Sequence, residues 1–182
     1  VDSFLLSKTE VTQAVWEKIM GKNPSYFKGA NRPVECVSWD DCQKFCQRTG
    51  LRLPTEAEWE YACRSGTTTK YYWGDSMDGA YAWYDSNSGD ETHPVGEKKA
   101  NAFGLYDMSG NVWEWCQDWY DSSYYSKGEN NNPTGPSTGS HRVDRGGSYC
   151  GVASSCRCAD RDGNSPGRRN FILGLRVCVK IN

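Results

Sequence analysis

Residues Arg142 to Val177 read R-V-D-R-G-G-S-Y-C-G-V-A-S-S-C-R-C-A-D-R-D-G-N-S-P-G-R-R-N-F-I-L-G-L-R-V, and two kinds of position alternate along them. One kind is typical of a structural framework, because paired glycines permit a tight turn, proline fixes another, and arginine can bond carbonyls or stack on rings. The framework positions are Arg145-Gly146-Gly147-Ser148, Arg157, Ala159, Arg161, Pro166, Arg169 and Gly174-Leu175-Arg176. We predict that the four framework arginines after Ser148 are buried, with their donors satisfied by carbonyls or carboxylates.

The other positions follow neither the period of two nor the period of 3.6 that a packed face would impose. A Gly/Ser/Asp/Asn-rich segment of this kind is either a solvated loop or a binding surface carried by a rigid frame. We predict that the following positions converge on one exposed patch and bind a ligand: Cys150, Gly151, Val152, Ser155, Asp160, Asp162, Gly163, Ser165, Gly167, Arg168, Phe171 and Ile172. Phe171 and Ile172 are either core residues or binding anchors, and we expect both to be exposed.

The chain before this stretch predicts three helices among short strands and irregular loops. Each helix is preceded by a capping residue, namely Thr12, Ser38 in S-W-D-D and Thr55 in T-E-A-E. Glycines at 21, 50 and 66 are predicted to end them. Short strands are predicted at 4–6, 33–37, 112–115 and 175–179, the third with one indole-lined face. Helices near the front, short strands and much irregular chain indicate an α+β fold.

Length and charge limit the classes of function. With 182 residues the chain fits a single domain, 1–182, and its formal net charge of −2 with scattered basic residues disfavours a nucleic-acid partner. No apolar run is long enough to span a membrane. The sequence starts without methionine, so a signal or lipid anchor would be invisible here. Eight Trp, eleven Tyr and nineteen Gly predict a core of large flat side chains joined by irregular loops.

The nine cysteines cannot all pair within one chain. They lack the C-x-x-C or histidine spacing of a zinc site, and only two histidines are available. They are therefore either buried free thiols or partly joined in disulfides.

Three groups of motifs together resemble the formylglycine-generating-enzyme (sulfatase-modifying factor) domain family. They are T-E-V-T at 9–12 with R-L-P-T-E-A-E-W-E-Y-A at 52–62, G-L-Y-D-M-S-G-N-V-W-E-W at 104–115, and R-G-G-S-Y, R-x-A-x-R and G-L-R-V within 145–177. The resemblance implies a C-type lectin fold of the formylglycine-generating-enzyme type, with little regular secondary structure, over 1–182. The enzymes of this family oxidise a substrate cysteine with a cysteine pair spaced S-Y-x-C-x-x-x-x-C. This chain departs from that spacing at Cys150 and Cys156, so we predict that it is not an enzyme.

The resemblance also implies a calcium site at the G-N-x-W-E-W turn. Its ligands would be the carboxylates of Asp107 and Glu114 and the carbonyls of Gly110 and Val112. A metal-free arrangement, with both carboxylates bonded to backbone amides, is the alternative. No cofactor is expected to be required, and calcium would be structural.

Within the family the chain is most similar to the variable proteins of diversity-generating retroelements, such as those on treponemal surfaces. There a reverse transcriptase rewrites adenines near the C-terminus, which cannot produce Lys, Glu, Gln, Met or Trp codons. None of these five residues occurs from Cys150 to Leu173. We therefore predict a variable region at about 142–177 on a monomeric surface lipoprotein that binds a protein or other macromolecule. The alternatives are a fixed-partner accessory domain and a cysteine-dependent oxidase or related iron enzyme.

Overall fold

The computed structural model describes residues 1–128 and 131–181. Within those ranges the helices are α1 (Gln13–Met20), α2 (Trp39–Thr49) and α3 (Glu56–Arg64), with 3₁₀ turns at Tyr124–Lys127 and Ala153–Cys156. The strands are β1 (Phe4–Leu6), β2 (Trp113–Trp119), β3 (Arg142–Arg145), β4 (Arg161–Asn164), β5 (Leu173–Gly174) and β6 (Cys178–Lys180). Few helices and short strands among long irregular segments confirm the α+β prediction.

All three helices begin at the predicted caps because those signals are local. The hydroxyl groups of Ser38 and Thr55 each accept a backbone N–H in a complete capping box, and Thr12 caps α1. Helices α1 and α2 end at the predicted glycines, Gly21 and Gly50, which are both in the left-handed conformation. Helix α3 instead ends one residue earlier than predicted, with Ser65 in the left-handed conformation.

Strand β2 is the centre of a four-stranded sheet with the order β4-β3-β2-β5. It runs antiparallel to β3 and parallel to β5, and the β2–β3 register shifts between Trp115 and Trp119. A separate two-stranded sheet joins β1 to β6, so the first and last strands of the described chain lie side by side. The 112–115 strand prediction is right in place, but Trp113, Glu114 and Trp115 are all buried, so both faces of β2 are covered.

The core consists of two clusters. The first packs α1 and α2 against the sheet through Trp16, Phe45, Trp115, Leu173 and Leu175, with the Trp16 and Phe45 rings stacked at 5.2 Å between centroids. The second lies under α3 and includes Trp59, Ala62, Cys63, Met108 and Cys158. Aromatic rings therefore fill much of the interior, as the composition predicted.

Two strand predictions were wrong. The segment 33–37 is not a strand, because its amides bond to separate segments: Val34 donates to Val11 and Cys36 to Asn170. The final strand is shorter than predicted and begins at Cys178, while Leu173 and Gly174 form β5 instead. In the part of the chain that is described, we find no helix with the length and apolar character needed to cross a bilayer.

Candidate ligand-binding site

A buried ion pair fixes the end of β2 next to the site. Glu114 accepts hydrogen bonds from Arg176 Nε and Nη2 at 2.6 and 2.7 Å, and from Trp59 Nε1 at 2.5 Å. Arg176 also donates to the carbonyl of Tyr106 at 2.9 Å. Both charged side chains are fully buried, so each depends on the other for compensation.

A second arginine–carboxylate network ties β3 and β4 to α3. Arg145 is fully buried and bonds the carbonyl of Cys158 and the carboxylate of Glu60 at 2.7 and 2.5 Å. Arg161 binds Glu56 through two hydrogen bonds of 2.5 and 2.8 Å. These contacts hold the backbone before the predicted ligand-binding positions, at Arg145, and in their middle, at Arg161.

The Gly146–Gly147 turn follows β3 and directs the chain towards the surface. Gly147 has φ of 79°, and a Cβ there would lie 2.8 Å from the carbonyl oxygen of Ser155, so only glycine fits this turn. Tyr149 is then anchored by its N–H, which donates to the carbonyl of Asn111 at 2.8 Å. The next residue, Cys150, is exposed.

Cys150 opens into a surface cavity of about 400 Å³ whose walls are mostly aromatic. The lining residues are Tyr26, Phe27, Asp90, Tyr149, Cys150 and Phe171. Consecutive rings stand nearly perpendicular, at 88° for Tyr26–Phe27 and 84° for Phe27–Tyr149, while Phe171 is tilted by 47° against Tyr26. The cavity therefore has walls of ring surface with one thiol and one carboxylate at its edge.

All of the predicted ligand-binding positions are exposed or half-buried, but they differ in placement. Cys150 and Phe171 meet in the cavity, whereas Asp162 and Gly163 lie in β4, at the opposite sheet edge from β5. Phe171 is exposed as predicted, but Ile172 is only half-buried because it packs against the first core cluster. Convergence of the whole set on one patch stays a prediction.

The burial prediction for the framework arginines was right only in part. Arg176 is buried, and Arg161 retains 16% of its side-chain exposure beside Glu56. Arg157 and Arg169 are instead exposed, at 46% and 56% of the side chain. Each reaches a nearby surface carboxylate, Arg157 to Asp160 and Arg169 to Asp41, and such surface pairing requires no burial.

The predicted calcium ligands lie in a buried acidic cluster. Asp107 accepts the N–H of Gly96 at 2.6 Å, and Glu10 lies beside Asp107 and accepts a hydrogen bond from Asn111 at 3.1 Å. Burial raises the pKa of Glu10 well above its ordinary value, and Asp107 raises it further; burial also raises the pKa of Asp107. A proton on Glu10 compensates this charge, and a calcium ion held by Asp107 and nearby carbonyls would do so equally.

In the described ranges, no group of three His, Cys, Asp or Glu side chains is arranged to hold a metal ion. The calcium site predicted from the resemblance differs from such a group because two of its four ligands are backbone carbonyls. Both oxygens of Glu114 are bonded to the side chains of Arg176 and Trp59, and of the two carboxylates only Asp107 bonds a backbone amide of the described residues. The calcium site therefore stays a prediction.

The cysteines occupy two kinds of environment. All nine, which fall in described positions, have free thiols. Cys156 is buried, and burial raises its pKa to about 12, whereas Cys150 is exposed 3.6 Å from the hydroxyl of Ser148. Cys63 and Cys158 are both buried with their sulfur atoms 3.5 Å apart. Cys150 is thus the thiol that a ligand in the cavity can reach.

Tyr26, Phe27 and Asp90 line the cavity but were absent from the predicted site. The sequence assigned 22–32 and 66–99 to loops without a role. Adjacent aromatic residues in an otherwise polar loop, as in Tyr26–Phe27, are the signal that could have indicated a binding wall.

The geometry defines the protein as an α+β domain that has an aromatic-walled cavity above a buried arginine–carboxylate framework. The chain belongs to the sulfatase-modifying factor enzyme 1-like domain family, whose model matches residues 1–181. Formylglycine-generating enzyme of Streptomyces coelicolor is 38% identical over an alignment of 183 positions, which covers 91% of this chain and 58% of that protein. The enzyme of the same name from Mus musculus is 40% identical over 93% of this chain and 50% of its own length. The chain thus spans only about half to three fifths of these relatives.

Solved structures confirm the C-type lectin fold of this family. Treponema denticola variable protein 1 superposes with a TM-score of 0.84 and 34% identity, over 98% of this chain and 84% of that one. The Major Tropism Determinant U1 variant superposes with a TM-score of 0.59 over 97% of this chain and 50% of that one, but its 16% identity shows likeness of fold alone.

The comparison with curated relatives shows that the prediction of a protein without enzymatic activity was wrong. Four curated relatives that are 36–40% identical to it are named formylglycine-generating enzyme. The irregular cysteine spacing was therefore too narrow a basis for excluding catalysis.

Proposed function

We propose that this domain binds a protein or other macromolecular ligand through the Cys150 cavity and the surface around it, and that a diversity-generating retroelement varies the side chains there. The observation that carries the proposal is the burial pattern. Residues 143–149 and 173–178 are all buried, whereas every predicted ligand-binding position between them is exposed or half-buried. Side chains at most of those positions can change without opening the core; the exceptions are Ile172, which packs against the first cluster, and Gly163, where a Cβ would lie 2.8 Å from Tyr120.

The backbone beneath these positions is held by contacts that do not depend on their side chains. Gly151 donates its N–H to Ser148 and accepts one from Asp85, while Cys158 donates to Lys70. Leu173 donates to Asn170 just before β5. A frame fixed in this way allows side-chain contacts to alter affinity without reordering loops.

Similarity to a treponemal variable protein supports the retroelement part of the proposal. We further propose that the protein is displayed as a monomer on a cell surface through a lipid anchor. A reverse-transcriptase gene and an adenine-rich near-copy of codons 142–176 beside the gene are expected. A locus without both would contradict diversification and leave ligand binding to be tested separately.

The direct test is a library in which the predicted ligand-binding positions are randomised together. Most members should fold, and selections on different protein targets should yield different sequences. A matched control library randomises buried Val143, Leu173 and Leu175, and most of its members should unfold. If both libraries unfold equally often, the positions are structural and the proposal fails.

Oxidation of a peptide cysteine is a second candidate function, favoured by the accessible thiol of Cys150 and by the names of the curated relatives. Incubation with a cysteine-containing peptide under oxygen, followed by mass spectrometry, tests it. Turnover that is lost in Cys150→Ser would establish this activity, and an unchanged peptide would exclude it under those conditions.

A further inference from the structure

We propose that the cavity around Cys150 selects a cationic side chain, a lysine ammonium group, on the protein ligand. This inference rests on the proposed binding function and adds the chemistry of the group that enters the cavity. It is carried by the four rings and the one carboxylate that line the cavity.

The rings have the geometry of a box rather than of a closed stack. Tyr26 and Phe27 have centroids 4.9 Å apart at 88°, and Phe27 and Tyr149 have centroids 5.3 Å apart at 84°. Phe171 contacts Tyr26 at the edge of this group, with ring centroids 6.1 Å apart and a tilt of 47°. An ammonium group within about 6 Å of ring centroids is attracted by their negative faces.

The charges around the box have the matching sign. Asp90 is exposed at its rim, and none of the described residues that line it is a Lys or Arg. Behind the box, fully buried Glu35 accepts the N–H of Phe27 at 2.8 Å, and burial raises the pKa of Glu35, so Asp90 is the carboxylate that a ligand in the cavity meets. Lys28 is not among the described residues that line the cavity, and its ammonium group donates to the carbonyl of Asn23 at 3.2 Å.

The cavity size also suits a side chain. A volume of about 400 Å³ holds a lysine side chain with water, whereas it is small for a folded element. Tyr26 and Phe171 keep 70% and 46% of their exposure, so both rings are available for contact. A flexible cationic side chain can therefore enter while the rest of the ligand contacts the surrounding surface.

The test compares Nα-acetyl-lysine methylamide, the charged form, with Nα-acetyl-2-aminoheptanoic acid methylamide, the neutral form, in which a methyl group replaces the ammonium group at nearly the same shape. Binding to the whole chain is measured by NMR titration. We expect the charged form to bind about fivefold or more tightly than the neutral form, and the resonances of Cys150 and Phe171 to shift. Asp90→Asn should reduce that ratio to near one, and Phe171→Leu should weaken the charged form more than the neutral form.

Asp90 has a φ of 64°, which asparagine tolerates, so Asp90→Asn is expected to fold. Asp85→Asn, an exposed carboxylate outside the cavity lining, is the control and should leave the ratio unchanged. Equal binding of the two probes, or binding of neither, overturns the cation inference. The library experiment does not use these probes. A negative result there contradicts the proposed binding function, whereas a negative result here contradicts only the preference for a cation.

Discussion

At the scale of single residues, Glu114 is the acidic group that connects the two halves of the core. It binds Arg176 near the C-terminal end and Trp59 in α3, so one carboxylate joins three distant segments. Removing it takes from a buried guanidinium the carboxylate that is hydrogen-bonded to it, which is far more costly than losing an exposed pair.

Glu114→Ala is therefore expected to lower the free energy of unfolding by about 3–5 kcal/mol, measured by denaturant titration. Glu91→Ala is the matched control, since Glu91 pairs with Arg32 at 3.2 Å with 45% of its side chain exposed. That change should cost no more than about 1 kcal/mol. Similar losses in the two variants would contradict the central role of Glu114.

Replacing cysteine by serine should have different effects on stability at Cys150 and at Cys156, because the two side chains differ in burial. Cys150→Ser should change the free energy of unfolding by less than about 1 kcal/mol because the side chain is exposed. Cys156→Ser places a hydroxyl at a fully buried position and should cost about 1–3 kcal/mol. Thermal and denaturant unfolding of both variants will check the order, and a larger loss for Cys150→Ser would refute it.

At the scale of secondary-structure elements, the pair β3–β4 contains an unusual carboxyl group. Asp144 is fully buried opposite Asp162, accepts one hydrogen bond from Asn164 at 3.0 Å, and has a second oxygen without a partner among the described residues. Burial raises the pKa of Asp144 from an ordinary 3.8 to about 7. Folding is therefore coupled to protonation of the Asp144 carboxyl group.

Because the pKa of Asp144 is raised in the folded state, the stabilisation from its proton is complete below about pH 4 and is lost as pH rises through about 7. Asp144→Asn can keep the bond from Asn164 and carries no charge. Its stability relative to the native protein should therefore rise by about 2 kcal/mol between pH 5 and pH 8.5. Melting curves at both pH values are the measurement. Asp85→Asn, an exposed change, should show little pH dependence, and the same flat behaviour in Asp144→Asn would contradict the prediction.

The elements differ in how far the sequence could predict them. The helices were predictable because Thr12, Ser38 and Thr55 act on amides within the next turn. The segment 33–37 was not, because its amides bond to Val11 and Asn170, and nothing local indicates those partners. The same holds for the site, where Tyr26 and Asp90 reach Cys150 only through tertiary packing.

At the scale of the whole molecule, the family resemblance was enough to predict the fold. It does not explain how the buried acidic side chains of the interior are neutralised. Glu10, Asp107 and Glu114 lie near the single guanidinium of Arg176, and burial raises the pKa of Glu10 and Asp107. We propose that calcium, held by Asp107, Glu114 and the carbonyls of Gly110 and Val112, supplies the missing positive charge.

Chelation should therefore lower the melting temperature of the purified protein, since a ligand that binds only the folded state stabilises it. Asp107→Gly should remove this sensitivity, and glycine suits the φ of 55° at that position. Identical melting curves with and without chelator would show that protonation alone balances the cluster.

The pairing of β1 with β6 has a consequence for connectivity. Phe4 lies opposite Lys180, and Asp2 forms an ion pair with Lys180 at 3.4 Å, so the two ends of the described chain are neighbours. A short flexible linker could join them, and new ends could be opened between the exposed residues Ser137 and Thr138. Such a circular permutant would keep every strand pair while presenting the Cys150 cavity from a different point of attachment, which makes the domain a scaffold that can be reoriented without redesigning its core.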